Sequence, residues 1–242
     1  MKFLAPLVML LALAACSDKD GQPISVGSNI LNGGSRQDTP VAPGSSQFKH
    51  AYLLMGQSNM TRMSESSAPN FIGWPSYETA PAIAASMNDA DALYIQCGVA
   101  STPIVRWVPG ADLFEVCLTK IPHGLPVRGV FYYQGEADAQ SIPAASGAAW
   151  APKFVSIVQG LRSRLNNSAL PVVFAQLATE ARGPAVYPQW DIVKQAQASI
   201  SMARVSMVLT DDSALIDGEH LDESSYRRVG QRMANEMKSM VQ

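Results

Sequence analysis

The sequence has few of the residues that build metal sites or nucleic-acid surfaces. Its three histidines, His50, His123 and His220, are far apart and show no HxxxH or HxH spacing, so no metal site is predicted. Charged residues make up 16% of the chain, the net charge is -2 and there is no basic stripe, which argues against a nucleic-acid binder. With 242 residues, 47% of them hydrophobic, the chain is still long enough to bury the core of one domain.

The first 15 residues have the pattern of a secretory leader. Lys2 supplies a positive charge, and residues 3–15 form an apolar stretch that is too short to span a bilayer. Leu-Ala-Ala precedes Cys16, as in the bacterial lipobox, where a peptidase cuts before the cysteine and the cysteine is lipidated. We expect residues 1–15 to be a lipoprotein signal peptide and Cys16 to anchor the protein in the cell envelope, at the outer membrane. An ordinary secretory signal is the alternative.

Residues 16–47 are rich in Ser, Gly, Asn, Gln, Asp and Pro and contain no aromatic residue. Such a segment buries too little apolar surface to fold, so it is predicted to be a flexible tether, with the folded domain at 48–242. If Cys16 is lipidated, Cys97 and Cys117 remain as an even pair. In an oxidising compartment they can form a disulfide, and two buried free thiols are the alternative.

The apolar pattern of the domain predicts alternating strands and helices. Five short apolar runs predict strands at 51–55, 93–97, 127–133, 172–176 and 205–209. Helical spacing predicts helices at 80–87, 113–120 (capped by Asp112), 153–165, 191–201 and 224–241. Continuous apolar strands are typical of a parallel sheet covered on both faces. The fold class is therefore α/β, a three-layer α/β/α sandwich with a five-stranded parallel sheet.

Two connections, 56–79 and 134–152, are longer than packing requires. Each follows a predicted strand. Since both leave the carboxyl ends of parallel strands, we expect them to border the same crevice, where open α/β sheets bind ligands.

One serine in the first of these connections has the setting of a nucleophile. Ser58 follows a buried strand and Gly56, which permits the turn that exposes the hydroxyl. A serine needs a base, and His220, after the last predicted strand, is the best candidate. Asp217 lies three residues earlier, where a turn at Gly218 can bring its carboxylate to the imidazole. His50 and His123 are interpreted as loop residues.

Four motifs in order resemble those of SGNH-fold esterases of the sialate O-acetylesterase-like branch, which includes carbohydrate esterase family six. They are Gly-Gln-Ser-Asn-Met at 56–60, Cys-Gly-Val-Ala-Ser-Thr-Pro-Ile-Val-Arg-Trp at 97–107, Tyr-Gln-Gly-Glu-Ala-Asp at 133–138, and Asp217 with His220. The resemblance covers about residues 50–240. It implies a flavodoxin-like SGNH hydrolase fold and a serine esterase that removes acetyl groups from carbohydrate, such as acetylated xylan or sialic acid, without a cofactor.

The resemblance also implies a role for individual residues. Ser58 would attack the ester carbonyl, His220 would take and return the proton, and Asp217 would orient His220. The oxyanion hole would consist of the Ser58 N–H, an N–H near Ser101 and the Gln134 side-chain amide. Supporting or substrate-rim positions are Gln57, Asn59, Glu136, Arg106 and Trp107.

One position departs from the family pattern. Relatives usually carry two glycines where this chain has Ala100 and Ser101. If that backbone requires a positive φ, a side chain there costs about 1–2 kcal/mol, whereas at negative φ the change costs little. The departure keeps a second hypothesis open, a glycan-binding surface lipoprotein with weak catalysis. A lipase or thioesterase on the same scaffold is a third. The sequence does not indicate an oligomeric state.

Overall fold

A parallel sheet of six strands forms the centre of the computed structural model, which describes residues 47–61, 71–72, 79–140, 145–179 and 183–241. The strands are β1 (His50–Gly56), β2 (Phe71–Ile72), β3 (Ala92–Gln96), β4 (Val127–Tyr133), β5 (Val172–Ala175) and β6 (Val205–Val208). Their order is β2-β3-β1-β4-β5-β6, and every pairing is parallel. The five predicted strands are confirmed, and β1 begins at His50, which was wrongly interpreted as a loop residue. β2 was not predicted, because two residues are too few to form a recognisable apolar run.

Eight α-helices are described in these residues. They are α1 (Ser58–Thr61), α2 (Thr79–Met87), α3 (Asp112–Thr119), α4 (Glu136–Gln140), α5 (Ala145–Ala148), α6 (Trp150–Arg164), α7 (Trp190–Ala198) and α8 (Glu223–Val241), with a 3₁₀ turn at Ile104–Trp107. The five predicted helices correspond to α2, α3, α6, α7 and α8. The three short helices, α1, α4 and α5, lie inside the two long connections, where four or five residues are too few to show a helical period.

The predicted cap of α3 was wrong. Asp112 is the first helical residue, and the N-cap position is Ala111, which makes no capping hydrogen bond. The Asp112 carboxylate instead accepts hydrogen bonds from the Arg106 guanidinium. The Asp112 side chain therefore pairs with Arg106, six residues earlier in the chain, and does not cap the helix.

Successive residues of the central strand pack into two separate cores, as the pleat of a strand requires. Leu53 and Met55 contact the core beneath α3, α6 and α7. Tyr52 and Leu54 contact the core beneath α2 and α8, to which α8 contributes Met233, Met237 and the half-buried Met240. These two cores make the molecule a three-layer α/β/α sandwich. Without β2, the strand order is that of a flavodoxin-like sheet, with the switch point between β1 and β4.

Cys97 and Cys117 form a disulfide that ties the end of β3 to α3. This decides between the two alternatives that the sequence left open. The predicted signal peptide, Cys16 and nearly all of the predicted tether lie outside the described residues. No helix in the described part of the chain is long and apolar enough to cross a membrane.

Candidate active site

The turn after β1 depends on a glycine that no other residue can replace. Gly56 has φ +131°, and a Cβ there would lie 2.0 Å from the carbonyl oxygen of Tyr133 on β4. The next residue, Gln57, donates its N–H to that same oxygen at 2.9 Å. Because the chain passes so close to β4, it turns sharply and begins α1 at Ser58. The hydroxyl of Ser58 consequently stands at the carboxyl edge of the sheet, half-buried.

The histidine is held by a tight turn built from its own neighbours. Asp217 Oδ1 accepts the backbone N–H groups of Glu219 (3.2 Å) and His220 (2.9 Å), and Gly218 takes φ +89°. On both sides of the turn the chain pairs with itself, through the bridge between Leu215 and Leu221. An Asp-Gly sequence forms such turns readily, since aspartate bonds to backbone N–H groups two residues on and glycine permits positive φ.

Ser58, His220 and Asp217 form one continuous chain of hydrogen bonds. The Ser58 hydroxyl lies 2.9 Å from His220 Nε2, and His220 Nδ1 lies 2.7 Å from Asp217 Oδ2. Burial alone would raise the pKa of Asp217, but its hydrogen bonds from His220 and Glu219 lower it below the usual value, so the carboxylate stays charged. Glu219 Oε1 is a second carboxylate oxygen near His220 Nδ1, at 3.7 Å. The structure thus brings together the three residues that the sequence predicted as catalytic.

The side chain of Gln134 faces inward. It is fully buried, and its oxygen accepts the indole N–H of Trp150 at 2.9 Å. Since an indole N–H can only donate, this contact fixes the amide orientation and turns the Gln134 nitrogen toward the Thr102 carbonyl (3.1 Å) and the Asp138 carboxylate. These contacts do not support the prediction that the Gln134 amide is aimed at an oxyanion, because its two protons already have protein acceptors.

The loop after β3 runs alongside the nucleophile turn. The N–H of Val99 donates to the carbonyl of Gly56 at 2.9 Å, and Asp138 accepts the N–H of Ile104 at 2.8 Å. Within this loop Ser101 has φ +56°, in the left-handed region that glycine favours. The sequence left open which sign of φ this position takes. The structure therefore places the departure from the family pattern at a backbone position that disfavours a side chain.

Arg106 and Trp107, predicted at the substrate rim, lie in the same loop and both bond to other residues of the protein. Trp107 is fully buried and donates its indole N–H to the Thr102 hydroxyl at 3.1 Å, which makes it a loop anchor, the alternative to a stacking platform. Arg106 is partly exposed and forms an ion pair with Asp112. Trp107 therefore offers no exposed face for stacking on a sugar, and the Arg106 guanidinium is bound to a carboxylate.

A network of buried polar side chains is centred on Asn59, the residue that follows the nucleophile. The Asn59 amide donates to the Glu136 carboxylate and to the Glu219 carbonyl (3.0 Å), while its oxygen accepts the Tyr226 hydroxyl at 2.6 Å. Burial raises the pKa of Glu136 to about 7, against the opposing effect of hydrogen bonds that include the one from Asn59. Gln57 lies in the same network, its oxygen accepting the N–H of Ala137 at 3.2 Å. The predicted supporting residues at 57, 59 and 136 are thus internal parts of the site.

Several members of this network were not predicted. Trp150, Tyr187 and Tyr226 lie on or before helices whose apolar periodicity indicated only core packing. Tyr187 donates to the Glu219 carboxylate, next to the histidine. The only signal available in the sequence was that a buried Tyr hydroxyl or Trp N–H needs a hydrogen-bond partner. The sequence does not indicate which residue that partner is. Among the described residues no group of three or more His, Cys, Asp or Glu side chains is placed to hold a metal ion.

A family model described as carbohydrate esterase, sialic acid-specific acetylesterase matches residues 75–239. This range contains Gln134, Glu136, Asp217 and His220 and begins after Ser58. No curated protein sequence matches the chain significantly.

Solved structures resemble the fold. A protein from Arabidopsis thaliana superposes with a TM-score of 0.68 at 18% identity, over 80% of this chain and 99% of that one. A carbohydrate acetylesterase from Xanthomonas citri superposes with a TM-score of 0.57 at 16% identity, over 79% of this chain and 56% of that one. NanS superposes with a TM-score of 0.59 at 12% identity, over 80% of this chain and 97% of that one. At these identities the likeness establishes the three-layer fold.

Proposed function

Since the chain belongs to the carbohydrate esterase family of sialic acid-specific acetylesterases, and so is a carboxylic ester hydrolase, we propose that it removes O-acetyl groups from carbohydrate with Ser58 as nucleophile. The observation that supports this most directly is the hydrogen-bonded chain from Ser58 through His220 to Asp217, with distances of 2.9 and 2.7 Å. Both distances lie within the range expected of a nucleophile, its base and the group that orients the base.

The proposed reaction has two steps. In the first, the Ser58 oxygen bonds to the acetyl carbon and its proton passes to His220 Nε2. The carbonyl oxygen becomes an oxyanion, and as it collapses the bond to the sugar oxygen breaks and the sugar takes the proton from His220. In the second, water attacks acetyl-Ser58, its proton passes to His220, and acetate leaves as Ser58 regains the proton. Asp217 stabilises the imidazolium in both steps.

Backbone groups at two places are the proposed donors to the oxyanion. Both the Ser58 N–H, at the start of α1, and the Ser101 N–H are without a hydrogen-bond partner among the described residues. The contact between Val99 and Gly56 keeps the two loops side by side. Gln134 contributes directly only if its amide turns away from Thr102, and otherwise it acts by holding the Ser101 loop in place.

The proposal is tested with the purified domain, using p-nitrophenyl acetate and release of acetate from acetylated sugars. We expect Ser58→Ala and His220→Ala to lower kcat by at least about 10³-fold, because each residue acts only as part of the unit. Ser199→Ala is a matched control, since Ser199 is exposed, follows the end of α7, and its hydroxyl donates only to the carbonyl of Ala196 in that helix. Hydrolysis by Ser58→Ala at the wild-type rate would refute the proposed nucleophile. An acetyl adduct on Ser58 after rapid quenching would support the acyl-enzyme.

The finer substrate class is decided by comparing substrates. The family description favours acetylated sialic acid, and acetylated xylan is the other carbohydrate that the sequence suggested. We expect acetate release from at least one of them, abolished in Ser58→Ala. Faster hydrolysis of acyl-CoA or long-chain esters than of either sugar would instead favour a thioesterase or lipase.

We also propose lipid anchoring through Cys16. Support comes from the sequence before it, Leu-Ala-Ala after an apolar stretch. Metabolic labelling with a palmitate analogue should mark the wild-type chain in the envelope fraction. Label that persists in Cys16→Ala would refute the anchor, while Ser17→Ala controls for changes next to the cleavage point.

A further inference from the structure

The Asn59 side chain connects the nucleophile turn to the histidine turn. Asn59 follows Ser58 directly, and its Nδ2 donates at 3.0 Å to the carbonyl of Glu219, the residue that precedes His220. The second Nδ2 proton goes to the Glu136 carboxylate. A backbone carbonyl can only accept, so the amide orientation is determined by these contacts, and its oxygen then meets the Tyr226 hydroxyl at 2.6 Å.

This network leaves Asn59 little freedom to move. The residues Asn59 and Glu136 are each 1% exposed, and the hydroxyl of Thr79 donates to the Asn59 carbonyl at 2.8 Å. Tyr226 belongs to α8 and Glu136 to α4, two elements on either side of the turn. Every hydrogen-bonding group of the amide is therefore occupied by a buried or rigid partner.

The peptide group between Glu219 and His220 is held at both ends. Its carbonyl accepts from Asn59 at 3.0 Å, and its N–H donates to Asp217 Oδ1 at 2.9 Å. Because the His220 Cα follows this peptide directly, the position of the peptide determines where the His220 side chain leaves the backbone. One end thus depends on the residue next to the nucleophile, and the other on the carboxylate that orients the ring.

We propose that Asn59 is the positioning residue that sets the distance between Ser58 and His220, by bonding the peptide carbonyl that precedes the histidine. Glu136 is the anchor that keeps the Asn59 amide in place. The inference rests on the proposed nucleophilic role of Ser58. A shift of the imidazole by about 1 Å in an otherwise intact site is enough to cost roughly 10²-fold in rate.

The sharpest test removes the hydrogen-bond donor of the Asn59 side chain without changing the size of the side chain. In Asn59→Asp an oxygen replaces the donor and faces both Glu136 and the Glu219 carbonyl. We expect kcat to fall by about 10²-fold with KM within about threefold, because the base is displaced and substrate contacts are untouched. The downfield proton resonance of His220 Nδ1 should shift or broaden.

A double variant separates positioning from folding. In Asn59→Asp with Glu136→Gln, the new glutamine amide can donate to the new aspartate, so the buried pair regains its hydrogen bond. The Glu219 carbonyl still faces an oxygen. We therefore expect the melting temperature to recover and kcat to remain low.

Gln176→Glu is the matched control, since Gln176 is another mostly buried amide whose nitrogen donates to a backbone carbonyl, that of Lys194, at 3.1 Å. It should lower the melting temperature and leave kcat unchanged. The inference is overturned if Asn59→Asp keeps wild-type kcat, or if the double variant restores kcat together with stability. Activity that persists in Ser58→Ala would overturn the proposed nucleophile instead, so the two failures are distinguishable.

Discussion

Trp150 donates its indole N–H to the side-chain oxygen of Gln134 at 2.9 Å, and this single contact decides which way the buried amide faces. The Gln134 nitrogen is thereby directed to the Thr102 carbonyl and the Asp138 carboxylate, both part of the framework that holds the Ser101 loop. The position that the family resemblance marks as an oxyanion donor is, in this geometry, an internal brace.

Gln134→Met tests the difference between a brace and a direct donor. The substitution leaves the Trp150 N–H and the Thr102 carbonyl without partners, at about 1–3 kcal/mol for each unsatisfied group. We expect the free energy of unfolding to fall by at least about 2 kcal/mol and kcat of the folded enzyme to fall by less than tenfold. Chemical denaturation and steady-state kinetics measure the two effects. A loss of ~10²–10³ in kcat without loss of stability would indicate direct donation instead.

Ser101→Gly should stabilise the protein. Ser101 sits at φ +56°, which costs a residue with a Cβ about 1–2 kcal/mol, whereas glycine adopts it freely and loses only ~0.5–1 kcal/mol of chain entropy. The expected net gain in unfolding free energy is up to about 1.5 kcal/mol. Ala100→Gly, next to it and not at positive φ, should have the opposite sign. Equal effects of the two variants would contradict the explanation from φ.

Asp217→Asn should inactivate the enzyme without unfolding it. The asparagine oxygen can still accept hydrogen bonds from the backbone N–H groups of Glu219 and His220. Its NH₂ group would then donate to His220 Nδ1, which favours the tautomer with the proton on Nε2, where the base must be free to accept one. We expect kcat to fall by about 10⁴-fold. Glu219→Gln is the comparison, because Glu219 is 3.7 Å from Nδ1, too far to replace Asp217, and should cost less than tenfold. Kinetics with melting curves for both variants test this assignment.

The buried carboxyl of Glu136 should make stability depend on pH. Its pKa is about 7 in the folded chain against 4.5 ordinarily, so between these values the folded state holds a proton that the unfolded state releases. The free energy of unfolding therefore falls as the pH rises across this window, by on the order of 3 kcal/mol in total. Glu136→Gln mimics the protonated acid and should remove this component. Denaturation of both proteins from pH ~4 to pH ~8 measures the difference, and parallel curves would contradict it.

Removing the disulfide should destabilise the domain. The bond between Cys97 and Cys117 closes a loop with a sequence separation of 20, for which the expected contribution is about 3 kcal/mol. Cys97→Ala with Cys117→Ala should lower the free energy of unfolding by roughly this amount. Reductant should lower the melting temperature of the wild type and leave the double variant unaffected. In the domain at residues 48–242, which lacks Cys16, thiols that titrate in the unreduced, denatured wild type would show that the bond is not formed in the purified protein.

Most of the fold follows from patterns that lie within single segments. The run at Val172–Ala175 is apolar throughout, and the run at Val127–Tyr133 is apolar except for the exposed Arg128 near its start. Such runs are typical of a strand covered on both faces. The period of α8 is equally clear, since its apolar residues return at three- and four-residue steps. The short helices α1 and α4 could not be predicted, because local period is undetectable over so few residues and their bonds are to other segments.

For the site, the residue types and their order along the chain were enough to nominate Ser58, Asp217 and His220. Asp217 and His220 lie close in sequence, so a local turn joins them, and family motifs supplied the serine. Their meeting across 162 positions required the sheet to bring the ends of β1 and β6 to one edge. Tertiary packing alone decided the sign of φ at Ser101, the inward orientation of Gln134 and the contact of Asn59 with the carbonyl before His220. Each of these depends on which distant group occupies the space beside the residue, and no local pattern encodes that.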